Sequence, residues 1–315
     1  MQIIIRSYGR AVPKRHCLNS ELPAELETSD EWIVSHTGIK ARYLVNDTES
    51  VVTLGVSACK QAISSAGVNP EEIGLVLCST TTPAYVGFPS TACVIQAQIG
   101  AKNATCYDIT AACTGFIYAL DNACAMMKTR DIKYAMICSS ETLSRITDWT
   151  DRSTCVLFGD AAGAVLLERV DDGEYGKNGI GSFITGSDGS GAEALCLGKN
   201  GFLRMDGHVV YDFAVSSMTK VIKEIMEKEG LTEDDVDYFV CHQANERILR
   251  ASSKRLGFSF DKFVCTMGEY GNTSSASIPV TLADMQAEGK IKKGSLMVFA
   301  AFGAGLTWGA TVIRF

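Results

Sequence analysis

The 315-residue sequence has only four histidines, and no Cys-x-x-Cys pair occurs among its twelve cysteines. No histidine is paired with a cysteine at the spacing of a zinc finger, so a structural zinc site is not expected. Cys78, Cys138 and Cys241 instead stand at the ends of apolar runs, where cysteine acts as a small hydrophobic residue. The cysteines therefore predict free thiols in a reducing compartment rather than a disulfide framework.

Signals for export, membrane insertion and nucleic-acid binding are also missing. The start, MQIIIRSYGR, has a run of only three isoleucines before Arg6, too short for a signal peptide, and predicts a cytoplasmic protein. The one long apolar run, residues 295–315, is interrupted by Gly303, Gly305 and Gly309, which favours a buried β-hairpin over a membrane span. A net charge of −7 argues against a general nucleic-acid binder. We therefore expect neither a membrane nor a nucleic acid as partner.

The sequence contains an internal repeat. GVNPEEIGLVLC, residues 67–78, aligns without a gap to GLTEDDVDYFVC, residues 230–241, and each copy follows an apolar-periodic helix. A second, shorter repeat pairs GAVLL, residues 163–167, with GATVI, residues 309–313. The repeat predicts a duplicated α/β fold, in which two matched mixed β-sheets have helices between and outside them.

A polar, glycine-rich stretch separates the two copies. Over residues 171–193 the apolar periodicity lapses. We therefore predict an N-terminal half, residues 1–170, and a C-terminal half, residues 171–315. If the halves pack about a pseudo-twofold axis, corresponding helix starts in the two copies meet at one point.

Cys113 lies in YDITAACTGF, between an apolar strand and a helix start with small neighbours. The N–H groups and dipole of a helix N-terminus lower the pKa of a thiol, so we expect it to fall from about 8.5 toward neutrality. In the second half, GNTSSASIPVTLADMQ starts the corresponding helix and carries Asn272, and His242 directly follows the repeated strand. The symmetry predicts that these three side chains converge. Taken singly, each is also explained as a filler cysteine, a core histidine or a helix cap.

Seven motifs occur in order from Thr28 to Phe315, and they are TSDEWIVSHTGI, FPSTAC, AACTGF, DRSTCVLFGDAAGA, CHQANERIL, YGNTSSAS and TWGATVIRF. Together they resemble the beta-ketoacyl-acyl carrier protein synthase III family of thiolase-like condensing enzymes, over nearly the whole chain. The resemblance implies the thiolase-like duplicated fold, with two mixed β-sheets layered with α-helices as αβαβα. It also implies that Cys113 is the nucleophile and that His242 and Asn272 serve the decarboxylating half-reaction.

The resemblance implies further parts of the site. The backbone N–H groups of Cys113 and Ala304 form an oxyanion hole, and Phe88 reaches the acyl pocket of the partner subunit in a homodimer. The residues implied for CoA binding are Thr28, Trp32, Arg152, Gly207 and Asn245. Of these, Trp32 and Arg152 hold the adenine between a ring and a guanidinium plane. Read without the resemblance, TSDE is a capping box from Thr28 to Glu31.

The segment NERILRASSKRLG predicts a basic helix face just after His242. Arg247, Arg250 and Lys254 are spaced by three and four residues, with Arg255 beside them. We expect this face to dock an acidic carrier protein near the entrance of the active site. A charge run of this kind is also typical of a solvated surface.

Several positions depart from the family pattern. His36 stands where an arginine is usual, Ala161 and Ala304 replace glycines, and Asp212 replaces a basic residue. We expect a lost phosphate contact, turns that are less free to adopt positive φ, and an altered carrier preference. The segment TTTPAYVGFPS is one residue longer than usual, so the primer pocket is the least transferable part.

The predicted function is that of a condensing enzyme that initiates fatty-acid synthesis. An acyl-CoA primer is transferred to Cys113 and condensed with malonyl-acyl carrier protein, which gives a 3-oxoacyl-acyl carrier protein, CO2 and CoA. The CoA thioesters are substrates, and neither a metal nor another cofactor is expected. An enzyme of secondary metabolism, of the polyketide-starter or quinolone type, stays an alternative. A non-catalytic partner subunit is disfavoured because Cys113, His242 and Asn272 are all present.

Overall fold

The computed structural model describes residues 2–171 and 178–315. The strands are β1 (Gln2–Ala11), β2 (Arg15–Leu18), β3 (Ala41–Leu44), β4 (Ile73–Ser79), β5 (Thr105–Ile109), β6 (Tyr134–Thr142), β7 (Asp160–Val170), β8 (Gly179–Ser187), β9 (Leu195–Leu197), β10 (Leu203–Met205), β11 (Tyr238–Cys241), β12 (Leu296–Gly303) and β13 (Thr307–Arg314). The helices are α1 (Asp30–Thr37), α2 (Val51–Ala66), α3 (Thr91–Ile99), α4 (Gly115–Thr129), α5 (Arg152–Cys155), α6 (Gly207–Glu229), α7 (Glu246–Leu256), α8 (Met267–Tyr270) and α9 (Ser277–Ala287).

Two mixed sheets form the framework. The first has the strand order β1-β7-β6-β4-β5, and the second has the order β8-β13-β12-β11. In both sheets the first three strands are antiparallel and the fourth is parallel to the third. The place of β5 is taken in the second half by a single parallel bridge between Phe239 and Phe263. The predicted duplication is therefore confirmed strand by strand.

The aligned segments of the repeat begin at helix-ending glycines. α2 and α6 are followed by Gly67 and Gly230, each with a φ of 65°. This left-handed conformation is open to glycine at little cost and ends a helix cleanly. The chain then enters β4 in the first copy and β11 in the second. The two glycines thus set the same helix-to-strand turn in both halves.

Helices α4 and α9 lie between the two sheets. Phe116 of α4 and Leu282 of α9 pack in one apolar core with Leu77 of the first sheet and Phe299 of the second. On the outside, α2 and α3 cover the first sheet, while α6 and α7 cover the second. The predicted αβαβα layering is therefore confirmed.

The shorter sequence repeat, GAVLL and GATVI, lies at close helix-to-strand contacts between the halves. A Cβ at Gly163 in β7 would lie 2.7 Å from the backbone N of Val280 in α9. A Cβ at Gly309 in β13 would lie 2.9 Å from Cγ2 of Ile117 in α4. Both distances are too short for a side chain in a close-packed interior. Glycine at these two positions lets each central helix pack tightly against a strand of the other half.

The long apolar run forms the predicted hairpin of β12 and β13, with Ala300 opposite Ala310. Within residues 2–171 and 178–315, no helix is long and apolar enough to cross a membrane. The first sheet uses strands up to Val170, and the second uses strands from Gly179 onward. Residues 172–177 of the predicted seam lie outside the described residues, and the division into halves stays a prediction.

Candidate active site

Cys113 lies at the junction of β5 and α4. A short 3-10 turn, Ala112–Thr114, contains it, and α4 begins at Gly115. The helix therefore starts two residues after Cys113, and the thiol stands in the turn ahead of it. Ala112 makes the turn out of β5 with a φ of 45°. On the other side, a Cβ at Gly303 would lie 2.8 Å from the backbone N of Cys113, so glycine is needed there.

Cys113, His242 and Asn272 line one narrow pocket of about 90 Å³. Their exposed fractions are 8%, 1% and 6%, so all three are buried. His242 directly follows β11, and Asn272 lies in the loop ahead of α9. The fold thus brings together the three residues that the pseudo-symmetry singled out. Their chemical roles stay predictions.

His242 and Asn272 are both held by neighbouring groups. The Nδ1 of His242 shares a hydrogen bond of 2.9 Å with the Ser277 hydroxyl, which leaves Nε2 as its free ring nitrogen. The Oδ1 of Asn272 accepts a hydrogen bond of 2.9 Å from the backbone N–H of Ser274. The Nδ2 group of Asn272 is therefore the hydrogen-bond donor of that side chain. The Ser277 oxygen accepts the Gln243 N–H at 3.3 Å, which favours donation of its own O–H to Nδ1 and places the ring proton on Nε2. In this tautomer the pocket has two oriented donors beside the thiol.

Burial sets the protonation states in this pocket. It lowers the pKa of His242 to about 3, so the imidazole is neutral near pH 7. Burial also raises the pKa of Cys113 to about 12, although a contact with Ser274 and a backbone N–H act in the lowering direction. The expectation that the helix start brings the thiol pKa toward neutrality is therefore wrong. Removing the thiolate from water outweighs the helix start in the unliganded chain.

If His242 serves the decarboxylating half-reaction that the resemblance implies, its pKa predicts a flat pH profile for that step. An unperturbed histidine, with a pKa of about 6.5, would lose its neutral form on going from pH 7 to pH 5. Because burial lowers the pKa of His242 to about 3, the neutral donor persists over that range. We expect CO2 release from malonyl-CoA, measured without primer, to change less than about twofold between pH 8 and pH 5. A tenfold fall per pH unit below about pH 6.5 would contradict this assignment.

The turn that carries Ala304 is tied to the turn that carries Cys113. The Thr307 hydroxyl shares a hydrogen bond of 2.9 Å with the Thr114 hydroxyl and donates one of 3.0 Å to the carbonyl of Ala304. These contacts hold the two candidate oxyanion donors, the N–H groups of Cys113 and Ala304, on neighbouring segments. Among the described residues, the non-glycine residues with positive φ are Glu27, Ala112 and Ser274. Ala161 and Ala304, which replace glycines of the family pattern, are not among these residues, so neither alanine strains its turn.

A second cavity, of about 420 Å³, also reaches Cys113. Its walls include Thr81, Leu143, Ser274 and Ala304. Cys113 thus stands between this mainly apolar cavity and the pocket that holds His242 and Asn272. An acyl group on the sulfur can occupy the larger cavity while a second thioester enters the smaller pocket.

Two family models match the chain, and both describe 3-oxoacyl-[acyl-carrier-protein] synthase III. One matches residues 107–189, and the model of the C-terminal part matches residues 226–315. The chain is 42% identical to the beta-ketoacyl-[acyl-carrier-protein] synthase III of Rhizobium johnstonii, over 99% of this chain and 98% of the relative. It is 43% identical to that of Clostridium acetobutylicum, over 97% and 96%. The chain belongs to the beta-ketoacyl-acyl carrier protein synthase III family.

Solved structures of the synthase III family have the same fold. The 3-oxoacyl-[acyl-carrier-protein] synthase III of Aquifex aeolicus matches with a TM-score of 0.95 and 42% identity, covering 99% of this chain and 100% of that one. A priming beta-ketosynthase of the R1128 polyketide pathway matches with a TM-score of 0.93 and 31% identity, covering 100% and 96%. The thiolase-like fold class is confirmed by these similarities.

The residues that the synthase III resemblance assigns to CoA fall into two groups. Gly207 and Asn245 line the catalytic pocket itself. The Oδ1 of Asn245 also caps α7 by accepting a hydrogen bond of 2.8 Å from the Arg247 N–H.

Thr28 does not cap α1, since Ser29 is the N-cap and its side chain accepts from the Trp32 N–H. The capping box read from TSDE is therefore wrong by one residue. The Thr28 hydroxyl is buried without a hydrogen-bond partner among the described residues.

Trp32 and Arg152 are in contact with each other. The Arg152 guanidinium lies 5.3 Å from the centroid of the Trp32 ring, and its Nη1 donates to the carbonyl of Glu27 at 2.9 Å. Two flat groups that hold a base between them stand about 7 Å apart, because each group lies about 3.5 Å from the base. Adenine binding between them therefore requires Arg152 to move outward. His36 stacks on Trp32 at 4.4 Å and binds its carbonyl through Nδ1.

The basic face of the synthase III chain is less uniform than its sequence suggests. Arg250 pairs with Glu246 at 2.6 Å, and its guanidinium lies 4.0 Å from the centroid of the Phe260 ring. The other basic side chains of α7 are exposed, and they are Arg247, Lys254 and Arg255. Within residues 2–171 and 178–315 none of these three has an ion pair of this kind. Asp212 is also exposed, on α6. Carrier docking on α7 stays a prediction.

Sequence reasoning missed three residues near Cys113, His242 and Asn272. Ser277 binds the His242 ring, Ser274 lines the larger cavity with Cys113, and Glu141 is fully buried. Glu141 did leave a signal, because it is an acid inside a strand, β6, whose nine residues are all buried. The two serines left none, because GNTSSAS reads as an ordinary helix start.

Proposed function

We propose that this chain transfers an acyl group from acyl-CoA to Cys113 and condenses it with malonyl-acyl carrier protein. The products are a 3-oxoacyl-acyl carrier protein, CO2 and CoA, and the step initiates fatty-acid synthesis. The observation that carries the proposal is the placement of Cys113, His242 and Asn272 around one pocket, with a second cavity for the acyl chain. The CoA thioesters act as substrates, and we propose no metal or other cofactor.

In the first half-reaction, the Cys113 sulfur attacks the thioester carbonyl of the primer. The carbonyl oxygen becomes an oxyanion, for which the backbone N–H groups of Cys113 and Ala304 are the candidate donors. The Thr307 hydroxyl supports this arrangement because it ties the two turns together. CoA leaves through the pocket lined by Gly207 and Asn245, and the acyl group stays in the larger cavity.

In the second half-reaction, the malonyl thioester loses CO2 and becomes an enolate. The neutral Nε2–H of His242 and the Nδ2 group of Asn272 are suited to stabilise the enolate oxygen, since both are donors that are already oriented. The enolate carbon then attacks the acyl carbonyl on Cys113 and forms the new carbon–carbon bond. Neither donor carries a negative charge that could steer a base for hydrolysis.

The identity of the primer and the pathway are separate questions from the reaction. The relative from the R1128 polyketide pathway is 31% identical, whereas the curated synthase III relatives reach 42–43%. The similarity therefore favours the chain-initiating role over the alternative in secondary metabolism. The test is to incubate the protein with a panel of acyl-CoAs and malonyl-acyl carrier protein. One acyl mass added without carrier, and a 3-oxoacyl carrier formed with it, support the proposal; absence of both products rejects it.

We further propose a cytoplasmic homodimer. Val86 and Phe88 have exposed fractions of 101% and 89%, which is unusual for large apolar side chains. They follow β4, and β5 forms the edge of the first sheet, where main-chain groups are available to another chain. A second copy of the chain could therefore cover these side chains and the β5 edge. In this dimer Phe88 reaches the larger cavity of the partner subunit, which we call the primer cavity. The twelve cysteines are free thiols, which supports the proposed cytoplasmic location.

The proposed carrier-docking face is tested by reversing one charge. We expect Arg247→Glu to raise the KM for malonyl-acyl carrier protein about three- to tenfold at low salt, because an exposed cation that attracts an acidic partner is replaced by an anion. Added salt screens exposed charges, so the difference should shrink at high ionic strength. Lys223→Glu is the control, since it reverses an exposed charge that pairs with Glu227 elsewhere on α6. Equal KM values for both variants would place docking on another surface.

A further inference from the structure

A fully buried arginine holds a turn in the wall of the catalytic pocket. Arg42 is in β3 and has no exposed surface. Its Nη2 donates a hydrogen bond of 2.8 Å to the carbonyl of Val156. Its Nε and Nη1 have no hydrogen-bond partner in the part of the chain that the structure describes. The guanidinium thus binds one backbone carbonyl and leaves its other two nitrogen atoms without a partner.

This arginine is a costly choice if stability alone is at issue. Within residues 2–171 and 178–315, no carboxylate forms an ion pair with the guanidinium. A buried cation without a counter-ion raises the free energy of the folded state, and an apolar side chain of similar size avoids that cost. Departures of this kind from ordinary core packing are typical of functional sites. We therefore looked for what the Arg42 contact with Val156 holds in place.

The Val156 carbonyl belongs to a turn whose backbone is paired with Asn272. The N–H of Asn272 donates to the carbonyl of Leu157 at 2.8 Å, and the N–H of Gly159 donates to the carbonyl of Asn272 at 3.1 Å. Phe158 and Asn272 form an isolated parallel bridge through these bonds. Leu157 and Phe158 also line the catalytic pocket beside Asn272. The turn of residues 156–159 therefore sets the position of the Asn272 backbone.

The stem of Arg42 lies against both segments of this pairing. A Cβ at Gly159 would lie 3.0 Å from the Cβ of Arg42, and one at Gly271 would lie 3.3 Å from it. Gly271 comes directly before Asn272 and has a φ of 65° and a ψ of −162°, a conformation that is essentially restricted to glycine. The chain thus makes a sharp bend ahead of Asn272, and Arg42 packs against that bend.

Cys113 and His242 are held by other segments. The N–H of His242 donates to the carbonyl of Ala300 in β12 at 2.8 Å, and its ring is held by α9. The turn that carries Cys113 is tied to the start of β13. A change at Arg42 should therefore reach Asn272 first and leave the thiol and the imidazole in place.

We propose that Arg42 is a positioning residue for Asn272, which it fixes by holding the Val156 carbonyl and by packing against Gly159 and Gly271. The proposal rests on the proposed function of the site, in which the Asn272 amide donates to the enolate oxygen. A donor of this kind stabilises the transition state only where its geometry is set in advance, and a displacement of about 1 Å costs up to about a hundredfold in rate. Arg42 touches none of the reacting groups, so it acts on the malonyl half-reaction through Asn272.

The test measures both half-reactions in Arg42→Met, which keeps an unbranched apolar stem but removes the charge and the donor to Val156. We expect CO2 release from radiolabelled malonyl-CoA to fall about ten- to thirtyfold, because the Asn272 amide is no longer held in place. Acylation of Cys113 by acetyl-CoA, followed by intact mass, should change less than about threefold. This retained acylation also shows that the variant is folded.

Arg42→Lys is measured in parallel, so the test does not depend on the folding of one variant. Lysine keeps a cation at this position, but its chain is one atom shorter and lacks the planar fork of arginine. We expect the same selective loss of decarboxylation within about threefold of Arg42→Met. Wild-type decarboxylation in Arg42→Lys would show that a buried charge is sufficient, and it would overturn positioning through the hydrogen bond.

A double-mutant cycle separates positioning of Asn272 from a general packing role. In the Asn272→Ala background, Arg42→Met should lower decarboxylation less than about twofold further, because the residue that it positions is already absent. In the His242→Ala background it should keep its full effect. Ser7→Ala is the control, since Ser7 is a buried donor to the carbonyl of Ala62, at 2.7 Å, between β1 and α2. It should change neither half-reaction more than about twofold.

Each outcome decides a different question. A wild type that is not acylated by any acyl-CoA and releases no CO2 from malonyl-CoA rejects the proposed function itself. In an active wild type, three results overturn the role of Arg42. These are acylation and decarboxylation that fall together in both Arg42 variants, decarboxylation that stays at the wild-type rate, and an equal effect of Arg42→Met with and without the Asn272 amide.

Discussion

Cys113→Ala is expected to lose acylation completely and to lower the condensation rate at least about a thousandfold, because covalent catalysis has no substitute nucleophile in this site. The expectation is specific, since eleven other cysteines are present. Cys113 alone belongs to both cavities and has candidate oxyanion donors beside it. The measurement is intact mass after incubation with acyl-CoA, followed by peptide mapping.

Cys196 supplies a matched control for this experiment. It lines the same primer cavity as Cys113 and is partly exposed, but it does not line the pocket of His242 and Asn272. Cys196→Ala should therefore be acylated at the wild-type rate. Peptide mapping that places the acyl group on Cys196, or an unimpaired Cys113→Ala enzyme, would reject Cys113 as the nucleophile.

His242→Ala and Asn272→Ala are expected to separate the two half-reactions. Each removes one donor to the enolate oxygen, so malonyl decarboxylation should fall about a hundredfold or more, which is the scale of one lost oxyanion donor. Acylation of Cys113 should persist in both variants, because the donors proposed for the first half-reaction are the backbone N–H groups of Cys113 and Ala304. Decarboxylation is measured as CO2 release from malonyl-CoA, and acylation as intact mass.

Retained acylation serves as the folding control for these two variants. It matters for Asn272, whose Oδ1 accepts the Ser274 N–H and whose loss could disturb the loop ahead of α9. Ser277→Ala offers a graded comparison, since it removes the partner of His242 Nδ1, together with a weaker contact to the Gln243 N–H at 3.3 Å, and keeps the imidazole. We expect it to slow decarboxylation less than His242→Ala does. Loss of acylation in both alanine variants, with decarboxylation intact, would reverse the assignment of the two halves.

The duplicated architecture was readable from the sequence because it rests on local and repeated signals. Gly67 and Gly230 end helices at the same point of each copy, and the following strands occupy equivalent places in their sheets. The shorter repeat with Gly163 and Gly309 was visible too, although the sequence did not show why glycine is required there. It depends on which central helix crosses which strand, and that is set by the packing of the two halves.

The electrostatics of the site could not be read in the same way. A helix start at Cys113 suggests a lowered pKa, but burial, which arises from distant segments, raises it to about 12. The hydrogen bonds that surround Glu141 were equally hidden, because their donors come from residues 80–82 and from Ser275. These segments are far apart in sequence and meet only in the folded chain.

The narrow pocket beside Cys113, His242 and Asn272 is the proposed route for both thioester arms. We therefore expect CoA to depart before the malonyl thioester enters, which is a ping-pong sequence. Free CoA and the malonyl carrier then compete for the same space, so added CoA should slow condensation by the acyl-enzyme.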